Sequence, residues 1–329
     1  MTQTHRRLGA ALVPILLLVL PISARAAGLL DAQSTSFGDA RGLIGTHENG
    51  QDVIHAQTFR AGTSGMLDRV DVPIRVVGDP GVPLTVQIRA LDGDGLPAGV
   101  LGGATLAQAS VPACNTPACV DKSPAGDFLG FDFVEVPLAS TAAVSSGTDY
   151  AIVLSATGAQ LDIYGDMVDR TANRYEWAAI FNEAAYPDGR GLNYLGGFGW
   201  VPSNADKAFK VYVTPAYSAT IRQPINADGS SNFKAGRGVV PVKFELSVSG
   251  TPTCALPPAT IALTRTSGVA PEPINESAYL LPADNGSSFR VTECQYVYNL
   301  NLKTLGAGTY RVDIKIDGQT VGSASFDLR

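Results

Sequence analysis

The chain has 329 residues, of which 16% are charged, and it contains 35 glycines and 21 prolines. This composition favours many short strands joined by tight turns, and the length suits about two domains of ordinary size. The formal net charge of −6 and the lack of a basic run argue against nucleic acid and anionic membrane surfaces as partners.

Residues 1–26 are predicted to be a signal peptide. Arg6 and Arg7 precede an apolar run, Leu12–Leu20, that is too short to span a bilayer, and Ala24 and Ala26 have the spacing that a signal peptidase reads. Loss of three arginines lowers the 24 basic residues to 21 against 30 acidic ones, a mature net charge of −9. We expect a secreted, extracellular protein without a membrane span in the mature chain. The alternatives are a periplasmic protein and a retained N-terminal anchor.

Alternating and β-branched segments predict a first domain over residues 28–214, an all-β, jelly-roll-like β-sandwich of about ten short strands. The predicted strands are 53–60, 67–76, 83–91, 105–111, 131–136, 150–155, 161–164, 175–180 and 207–213. Residues 28–52 are expected to be irregular, and residues 174–185 also permit a helix.

Two of these strands flank a predicted hairpin turn, Asp92-Gly93-Asp94-Gly95. The turn also resembles a fragment of a calcium loop, which makes Asp92 and Asp94 weak metal candidates. Calcium takes about six to eight oxygen ligands, so this segment would hold a structural ion at most. Asn226 and Asp228 have the same two interpretations, a plain turn or a fragment of a calcium loop. No other cofactor is expected.

The four cysteines, all beyond the signal peptide, predict disulfides, because an even number in an exported protein is a disulfide framework first. Three pairings are open. We predict Cys114–Cys119 and Cys254–Cys294, because each pair then lies inside one predicted domain. A zinc site is the alternative, but the first pair lacks CxxC spacing and has no histidine nearby.

Residues 164–200 are rich in aromatic side chains. They hold Tyr164, Tyr175, Trp177, Phe181, Tyr186, Tyr194, Phe198 and Trp200. Sugar rings stack on aromatic faces that lie beside polar groups, so the segment predicts a glycan-binding rim. Its candidate ligand-binding residues are Tyr164, Tyr175, Trp177, Tyr186, Tyr194 and Trp200. The alternative is that the rings fill the core, and both can hold if Trp177 is buried while Tyr186 or Tyr194 is exposed.

No convincing active site is present, and we predict that the protein is not an enzyme. The mature chain has two histidines, His47 and His55, and no nucleophile elbow or phosphate-binding loop. A glycoside hydrolase needs two carboxylates. The acidic segment with Asp162, Asp166 and Asp169 is the place where such a pair would be sought, and a solvated loop is the alternative there.

The first domain resembles the choice-of-anchor class of exported bacterial β-sandwich modules over about residues 53–213. The resemblance rests on Gln57-Thr58-Phe59, the strand Gly65–Ile74, the DGDGLPAG hairpin, the GTDYAIVLSA strand, and Trp200 followed by DKAF. It implies an extracellular, non-catalytic role in a surface or secreted protein.

A second domain is predicted over residues 217–329, after a linker at Thr214–Tyr217. Its first strong strand lies in GRGVVPVKFELS, residues 236–247, where every second side chain is apolar. Lys243 is out of register with that apolar set and is expected to face solvent or a loop. Further strands are predicted at 218–223, 260–266, 288–292, 296–302, 310–316 and 320–328, with Asp317-Gly318 as a two-residue turn.

These strands predict a smaller immunoglobulin-like β-sandwich. Tyr310 enters the penultimate strand after a glycine-containing turn, which is typical of a tyrosine corner, although an ordinary core tyrosine is the alternative. Antibody-type domains have a cysteine two residues later, where this chain has Val312. We therefore expect the Cys254–Cys294 disulfide to join a loop to a strand end.

This half of the chain resembles C-terminal PxKF-type domains. The motif is Pro241-Val242-Lys243-Phe244, with INADGSSNF before it and TIALTRT, ECQYVYNL and GTYRVDI after it. The resemblance implies a disulfide-bonded accessory domain at the end of a secreted bacterial protein and brings no catalytic residues.

Together these features predict a secreted, non-catalytic binding or surface-associated protein whose partner is an extracellular glycan or a surface protein. Two alternatives stay open. One is a structural or matrix protein that mediates protein contacts, and the other is a carboxylate-dependent glycoside hydrolase.

Overall fold

The computed structural model describes residues 28–38, 40–47, 50–114, 131–161, 173–181, 185–268 and 273–329. The predicted signal peptide lies outside them, as do Cys119, Tyr164, Asp162, Asp166 and Asp169. The described chain is all-β, as predicted, with two single-turn 3₁₀ helices. Within these residues, no helix is long and apolar enough to cross a membrane.

Fourteen strands precede residue 216 in the described part of the chain. They are β1 Leu29–Ser34, β2 Ala40–His47, β3 Asp52–Arg60, β4 Gly65–Val77, β5 Leu84–Leu91, β6 Pro97–Leu106, β7 Asp132–Val144, β8 Asp149–Ser155, β9 Gln160–Leu161, β10 Arg174–Ile180, β11 Gly191–Leu195, β12 Gly199–Pro202, β13 Asp206–Lys207 and β14 Phe209–Pro215. The 3₁₀ helices are Gln108–Ser110 and Gly196–Phe198.

These strands form two packed sheets. The first sheet has the order β1-β14-β4-β7, and β10 joins it by pairing with β4, β2 and β13. The second sheet has the order β6-β5-β8-β3-β11-β12. The pairing is continuous between the sheets at two places. The strand β7 also pairs with β6 through Ser140 and Gly103. The strand β2 pairs with β10 through Ala40–Ile44 and with β3 through Gly45 and Thr46. The jelly-roll description of this unit stays a prediction.

One apolar core lies between the two sheets. Ile74, Trp177 and Phe209 come from the first sheet, while Phe59 and Ile152 come from the second, and all five are fully buried. The strand β5 alternates between buried and half-buried residues, as its sequence predicts. The two sheets are therefore held together chiefly by burial of apolar side chains.

The prediction for residues 28–52 is wrong, because this segment contributes β1 and β2. The strand β1 pairs antiparallel with β14, about 180 residues further along the chain. Neither strand has a clean apolar alternation of its own. The strands form because distant partners satisfy their backbone groups, which a local pattern does not reveal.

The return strand of the β5–β6 hairpin is also misplaced in the prediction, which put it at 105–111. It begins at Pro97 and ends at Leu106, and residues 108–110 form a 3₁₀ turn. Its glycines are typical of a loop. In the strand they have a different reason, because a Cβ on Gly102 would lie 2.4 Å from the Ser140 carbonyl oxygen. Glycine is present there because another backbone approaches closely.

Residues 174–180 form the strand β10, so the helical alternative for that segment is wrong. Its alanines and Glu176 are helix formers, but β10 is paired on both edges. Glu176 is fully buried, and its carboxylate forms ion pairs with Arg41, Arg75 and Arg174. Tertiary pairing therefore overrides helix propensity here.

Among the residues that the structure describes, nine strands follow residue 216. They are β15 Tyr217–Arg222, β16 Asn232–Phe233, β17 Val239–Val248, β18 Thr251–Pro252, β19 Ala259–Ser267, β20 Arg290–Thr292, β21 Gln295–Asn301, β22 Gly308–Ile316 and β23 Gln319–Leu328. They form a third sheet, β15-β17-β21-β20 with β18 beside β17, and a fourth sheet, β16-β23-β22-β19. We letter the main strands A to G, for β15, β17, β19, β20, β21, β22 and β23. The sheets then read A-B-E-D and C-F-G, an order compatible with the predicted immunoglobulin-like sandwich, which stays a prediction.

The alternation predicted for β17 is confirmed. Val240, Val242, Phe244 and Leu246 are buried in the core between the third and fourth sheets. Lys243 is half-buried on the other face, where it lines a shallow groove with Glu245 and Glu293. The predicted turn at Asp317-Gly318 is also present, with both residues in the left-handed region that such two-residue turns require.

Two specific predictions for this unit hold. The Tyr310 hydroxyl donates a hydrogen bond to the carbonyl oxygen of Gly306 at 2.9 Å, which is a tyrosine corner. Cys254 and Cys294 form a disulfide that joins the loop after β18 to the turn between β20 and β21. Cys114 is also disulfide-bonded, and its predicted partner Cys119 lies outside the described residues.

Candidate functional site

Three of the predicted rim residues are core residues. Tyr175 and Trp177 are fully buried and Tyr186 is 8% exposed. The Trp177 indole N–H donates to the Ala208 carbonyl oxygen at 2.8 Å, and the Tyr186 ring packs edge-on against Phe209. These rings cannot stack on a ligand, so the prediction that they belong to a glycan-binding rim is wrong. They are buried because β10 and the segment before β11 are covered by strands from elsewhere in the chain.

Tyr194 and Trp200 remain accessible and lie together on the β11–β12 hairpin. They occupy directly opposed positions in the register, with ring centroids 5.4 Å apart at an interplanar angle of 67°. Both are half-buried. At the hairpin tip, Phe198 is 83% exposed. We call Tyr194, Phe198 and Trp200 the hairpin aromatics.

The geometry of the hairpin depends on glycine. Gly196 and Gly199 bracket Phe198 and have φ angles of 30° and 70°. Residues with a side chain adopt this left-handed region at a cost, which glycine avoids. The tight tip therefore presents Phe198 outward and leaves Tyr194 and Trp200 facing each other.

Trp200 rests on a second, smaller apolar cluster on the outer face of the second sheet. The cluster contains Ala56, Ala151, Val153 and Leu192, each of them buried. Phe59 and Ile152 point to the opposite, inner face, because side chains alternate along β3 and β8. Small alanines in these central strands leave room for the indole to lie over the sheet. This outer apolar face was not predicted.

Polar groups border this face. Gln87 and Arg89 lie opposite Val153 and Ala151 in the register, so their side chains are on the same face as the cluster. The Arg89 guanidinium donates to the Gln87 side-chain oxygen at 2.6 and 2.9 Å, and burial lowers the pKa of Arg89. The surface thus combines rings, an amide and a guanidinium on one face of five consecutive strands, β5-β8-β3-β11-β12.

The calcium candidates are turn residues, and some of their oxygens accept hydrogen bonds within the turns. Asp92 Oδ1 accepts hydrogen bonds from the backbone N–H groups of Asp94 and Leu96, at 3.0 and 2.9 Å. Arg190 donates to the carbonyl oxygens of Asp94 and Gly95. At the second candidate, Asp228 Oδ1 accepts from the N–H of Ser230. In the described part of the chain, no three acidic, histidine or cysteine side chains gather as a metal site would require.

A buried polar cluster lies beneath the base of the hairpin, and sequence reasoning missed it. His55, Asn193 and Lys207 converge there from β3, β11 and β13. The sequence patterns place His55 and Lys207 only within predicted strands. The cluster has no local signal, because its members are brought together by pairing of distant strands. His47, the other histidine of the mature chain, ends β2.

A further group of rings lies on the outer face of the first sheet. The Arg69 guanidinium lies 3.7 Å from the centre of the Tyr212 ring, and the Lys210 ammonium lies 4.3 Å from that of Phe133. Such cation–π pairs stabilise a half-exposed surface by about 0.5–1 kcal/mol each. Because the cations cover these rings, the hairpin aromatics are the better candidates for ligand contact.

A scan of protein-family models and a search of the curated proteins found no match to this chain. The function is therefore argued from the chemistry of the surfaces described above.

Proposed function

We propose that the protein is a secreted, non-catalytic binding or surface-associated protein that binds an extracellular glycan through the hairpin aromatics. The observation that carries this proposal is the accessible, half-buried pair of Tyr194 and Trp200 on a hairpin whose tip residue, Phe198, is 83% exposed. Large exposed rings lose favourable burial energy unless a partner covers them. A pyranose ring covers an aromatic face without displacing a charged group.

Polar groups on the same face of the sheet suit a sugar ligand. Sugar binding combines stacking on a ring with hydrogen bonds to hydroxyl groups. Gln87 and Arg89 offer an amide and a guanidinium on the same face as Trp200. Their mutual hydrogen bond holds both side chains in place before a ligand arrives, which reduces the entropy lost on binding.

The compartment of the proposed function follows from the export signal and the cysteines. The segment 1–26 has the pattern of a signal peptide, and the Cys254–Cys294 disulfide is compatible with an oxidising environment. The resemblances to choice-of-anchor modules and PxKF-type domains support the same extracellular role, and they bring no catalytic residues.

The test is binding of the purified mature chain to a polysaccharide panel and a glycan array. We expect the double variant Tyr194→Ala/Phe198→Ala to lose at least tenfold in affinity, because each ring contributes about 1 kcal/mol of stacking or more. Tyr279→Ala is the matched control, since Tyr279 is an exposed ring in the other half of the chain. Undiminished glycan binding by the double variant, with a native circular dichroism spectrum, would reject the proposal.

The two tryptophans give an independent readout. Trp177 is fully buried, whereas Trp200 is half-buried on the outer face, so a soluble quencher such as acrylamide should reach Trp200 far more readily. A bound glycan is expected to protect Trp200 from the quencher and to shift its emission. A ligand that binds without changing the quenching must lie elsewhere on the protein.

A second function, mediation of protein contacts in a surface or matrix structure, is favoured by one observation. Ile274, Tyr279, Leu280 and Leu281 are exposed apolar residues in a short segment before β20, and Leu280 is 99% exposed. Exposed apolar patches of this kind often mark protein contacts. Concentration-dependent self-association that is lost in Leu280→Ser/Leu281→Ser, without any glycan binding, would favour this function over the first.

A further inference from the structure

Lys207 is buried, at 1% exposure, and its ammonium contacts three neutral oxygen atoms. Its Nζ lies 2.9 Å from Ser203 Oγ, 3.2 Å from the Ala205 carbonyl oxygen and 3.2 Å from Asn193 Oδ1. A buried ammonium that contacts only neutral oxygens is poorly compensated for lost hydration. Burial accordingly lowers the pKa of Lys207 to about 8.

His55 approaches the same carboxamide oxygen from the other side. Its Nδ1 lies 2.7 Å from Asn193 Oδ1, and its Nε2 lies 2.9 Å from the Leu43 carbonyl oxygen. The ring packs so closely against β2 that a Cβ on Gly42 would lie 2.8 Å from it. The imidazole is therefore held with one nitrogen directed at Asn193.

Only the doubly protonated His55 ring can donate hydrogen bonds to both of its oxygen partners, Asn193 Oδ1 and the Leu43 carbonyl oxygen. Both ring nitrogens face an oxygen, so satisfying both needs the imidazolium, while a neutral ring satisfies only one. Burial, followed by the charge of Lys207, lowers the pKa of His55 to about 3. The extra proton therefore resides mainly on Lys207. In a second, less populated protonation state, which we call the minor state, this proton is on His55 instead. Both ring nitrogens are then hydrogen-bonded, and Lys207 is a neutral amine beside the carboxamide.

We propose that Lys207 and Asn193 form an intramolecular isopeptide bond, with His55 as the hydrogen-bond donor that stabilises the developing oxyanion. The minor state has the three components of this reaction: a neutral amine, an adjacent carboxamide, and an N–H donor on the carboxamide oxygen. Lys207 Nζ lies 3.2 Å from Asn193 Oδ1, so the two side chains are already held together and no bimolecular encounter is needed.

The reaction balances within the protein. The lone pair of Lys207 Nζ attacks Asn193 Cγ, and the developing oxyanion is stabilised by the His55 Nδ1–H. The C–N bond to Nδ2 then breaks, a proton from Nζ passes to the leaving nitrogen, and ammonia departs. The products are a secondary amide between the two side chains and one ammonia molecule. Asn193 is only half-buried, so ammonia has a way out, and its loss makes the step irreversible in dilute solution.

The cross-link would join the two sheets. Asn193 lies in β11, which pairs with β3 of the second sheet, and Lys207 lies in β13, which pairs with β10 of the first. It would also close the covalent loop 193–207 that contains the hairpin aromatics. A secreted protein would gain resistance to unfolding and proteolysis from a bond that reductants do not break.

The test is a tryptic peptide map of the mature wild-type protein after prolonged incubation near pH 8. Trypsin cleaves after Arg190, Lys207 and Lys210, so an unmodified chain yields a peptide of residues 191–207. The cross-linked chain cannot be cleaved at Lys207. It yields residues 191–210, lighter by one ammonia and without fragment ions from cleavage between Asn193 and Lys207. A succinimide at Asn193 would also lose ammonia but would leave cleavage after Lys207 intact.

Variants assign the reacting groups. Lys207→Arg and Asn193→Ala should each restore a peptide of unmodified mass that ends at residue 207, whereas Lys210→Arg, a matched control three residues away, should keep the lighter form. His55→Gln should lower the cross-linked fraction at equal incubation time. Complete recovery of unmodified peptide 191–207 from the incubated wild-type protein would overturn the proposal, and that measurement does not depend on whether any variant folds.

Discussion

Asp206 and Lys207 are adjacent in the chain and equally buried, yet their side chains form hydrogen bonds on opposite sides of β13. Asp206 accepts hydrogen bonds from the backbone N–H groups of Tyr186 and Gly191, each at 3.0 Å. Lys207 donates to Asn193 and Ser203 on the other side. This two-residue strand thus holds both the segment before the β11–β12 hairpin and the hairpin itself. The position of the hairpin aromatics therefore depends on the buried charges of Asp206 and Lys207.

The carboxylate of Asp206 should be important for stability. Burial raises the pKa of Asp206, against hydrogen bonds that lower it. Asp206→Ala leaves two buried N–H groups without their acceptor, and we expect a loss of about 2–4 kcal/mol in the free energy of unfolding. Urea unfolding followed by circular dichroism measures it. Asp188→Ala is the control, because Asp188 is exposed nearby, and an equal effect of both changes would contradict this role.

The stability of the protein should fall in acid through His55. Its folded pKa is about 3, below the ordinary value of 6.5 that applies to the unfolded chain. Between these values the unfolded state binds more protons, so this contribution is fully present above about pH 6.5 and is lost as the pH falls toward 3. The shift corresponds to about 4–5 kcal/mol at its limit.

The substitution His55→Gln removes this titration. We expect the variant to be less stable at pH 7 but to show a shallower loss of stability between pH 6.5 and 4, measured as the urea midpoint at each pH. Parallel pH profiles for the variant and the wild type would mean that other groups govern the acid sensitivity.

The tyrosine corner can be tested by removing one oxygen atom. Tyr310→Phe deletes the hydroxyl that donates to Gly306 and keeps the ring that stacks on Phe326. We expect a loss of about 1 kcal/mol, the ordinary net contribution of one such hydrogen bond. Tyr279→Phe, which removes a hydroxyl from an exposed ring, should leave the unfolding midpoint unchanged. No difference between the two variants would argue against a stabilising corner.

The Cys254–Cys294 disulfide should stabilise the C-terminal sandwich chiefly through the unfolded chain. Both cysteines are exposed, so their replacement leaves no core cavity, and the bond closes a loop with a sequence separation of 40. Chain-entropy estimates give about 4 kcal/mol for such a loop. The double change Cys254→Ser/Cys294→Ser should lower the unfolding free energy by about 2–4 kcal/mol in denaturant titrations. An unchanged midpoint would show that the unfolded chain is already constrained there.

Much of the fold could be predicted from local patterns. The alternation from Val240 to Leu246 places one face of β17 in the core whatever the rest of the chain does, because side chains in a strand alternate with period two. Asp317-Gly318 predicts its turn for an equally local reason, since few residue pairs adopt two successive left-handed conformations. The pairing of Cys254 with Cys294 was also predicted, from position within one half of the chain.

What the sequence by itself determined is therefore the all-β class, the faces of its regular strands and its tight turns, which depend on neighbouring residues alone. The tertiary structure decided that Trp177 is core and Trp200 is surface, that residues 29–47 contain strands, and that His55, Asn193 and Lys207 meet. Each of these depends on which distant strand becomes a neighbour. That choice follows from the burial and backbone pairing of the whole sandwich, and no local pattern encodes it.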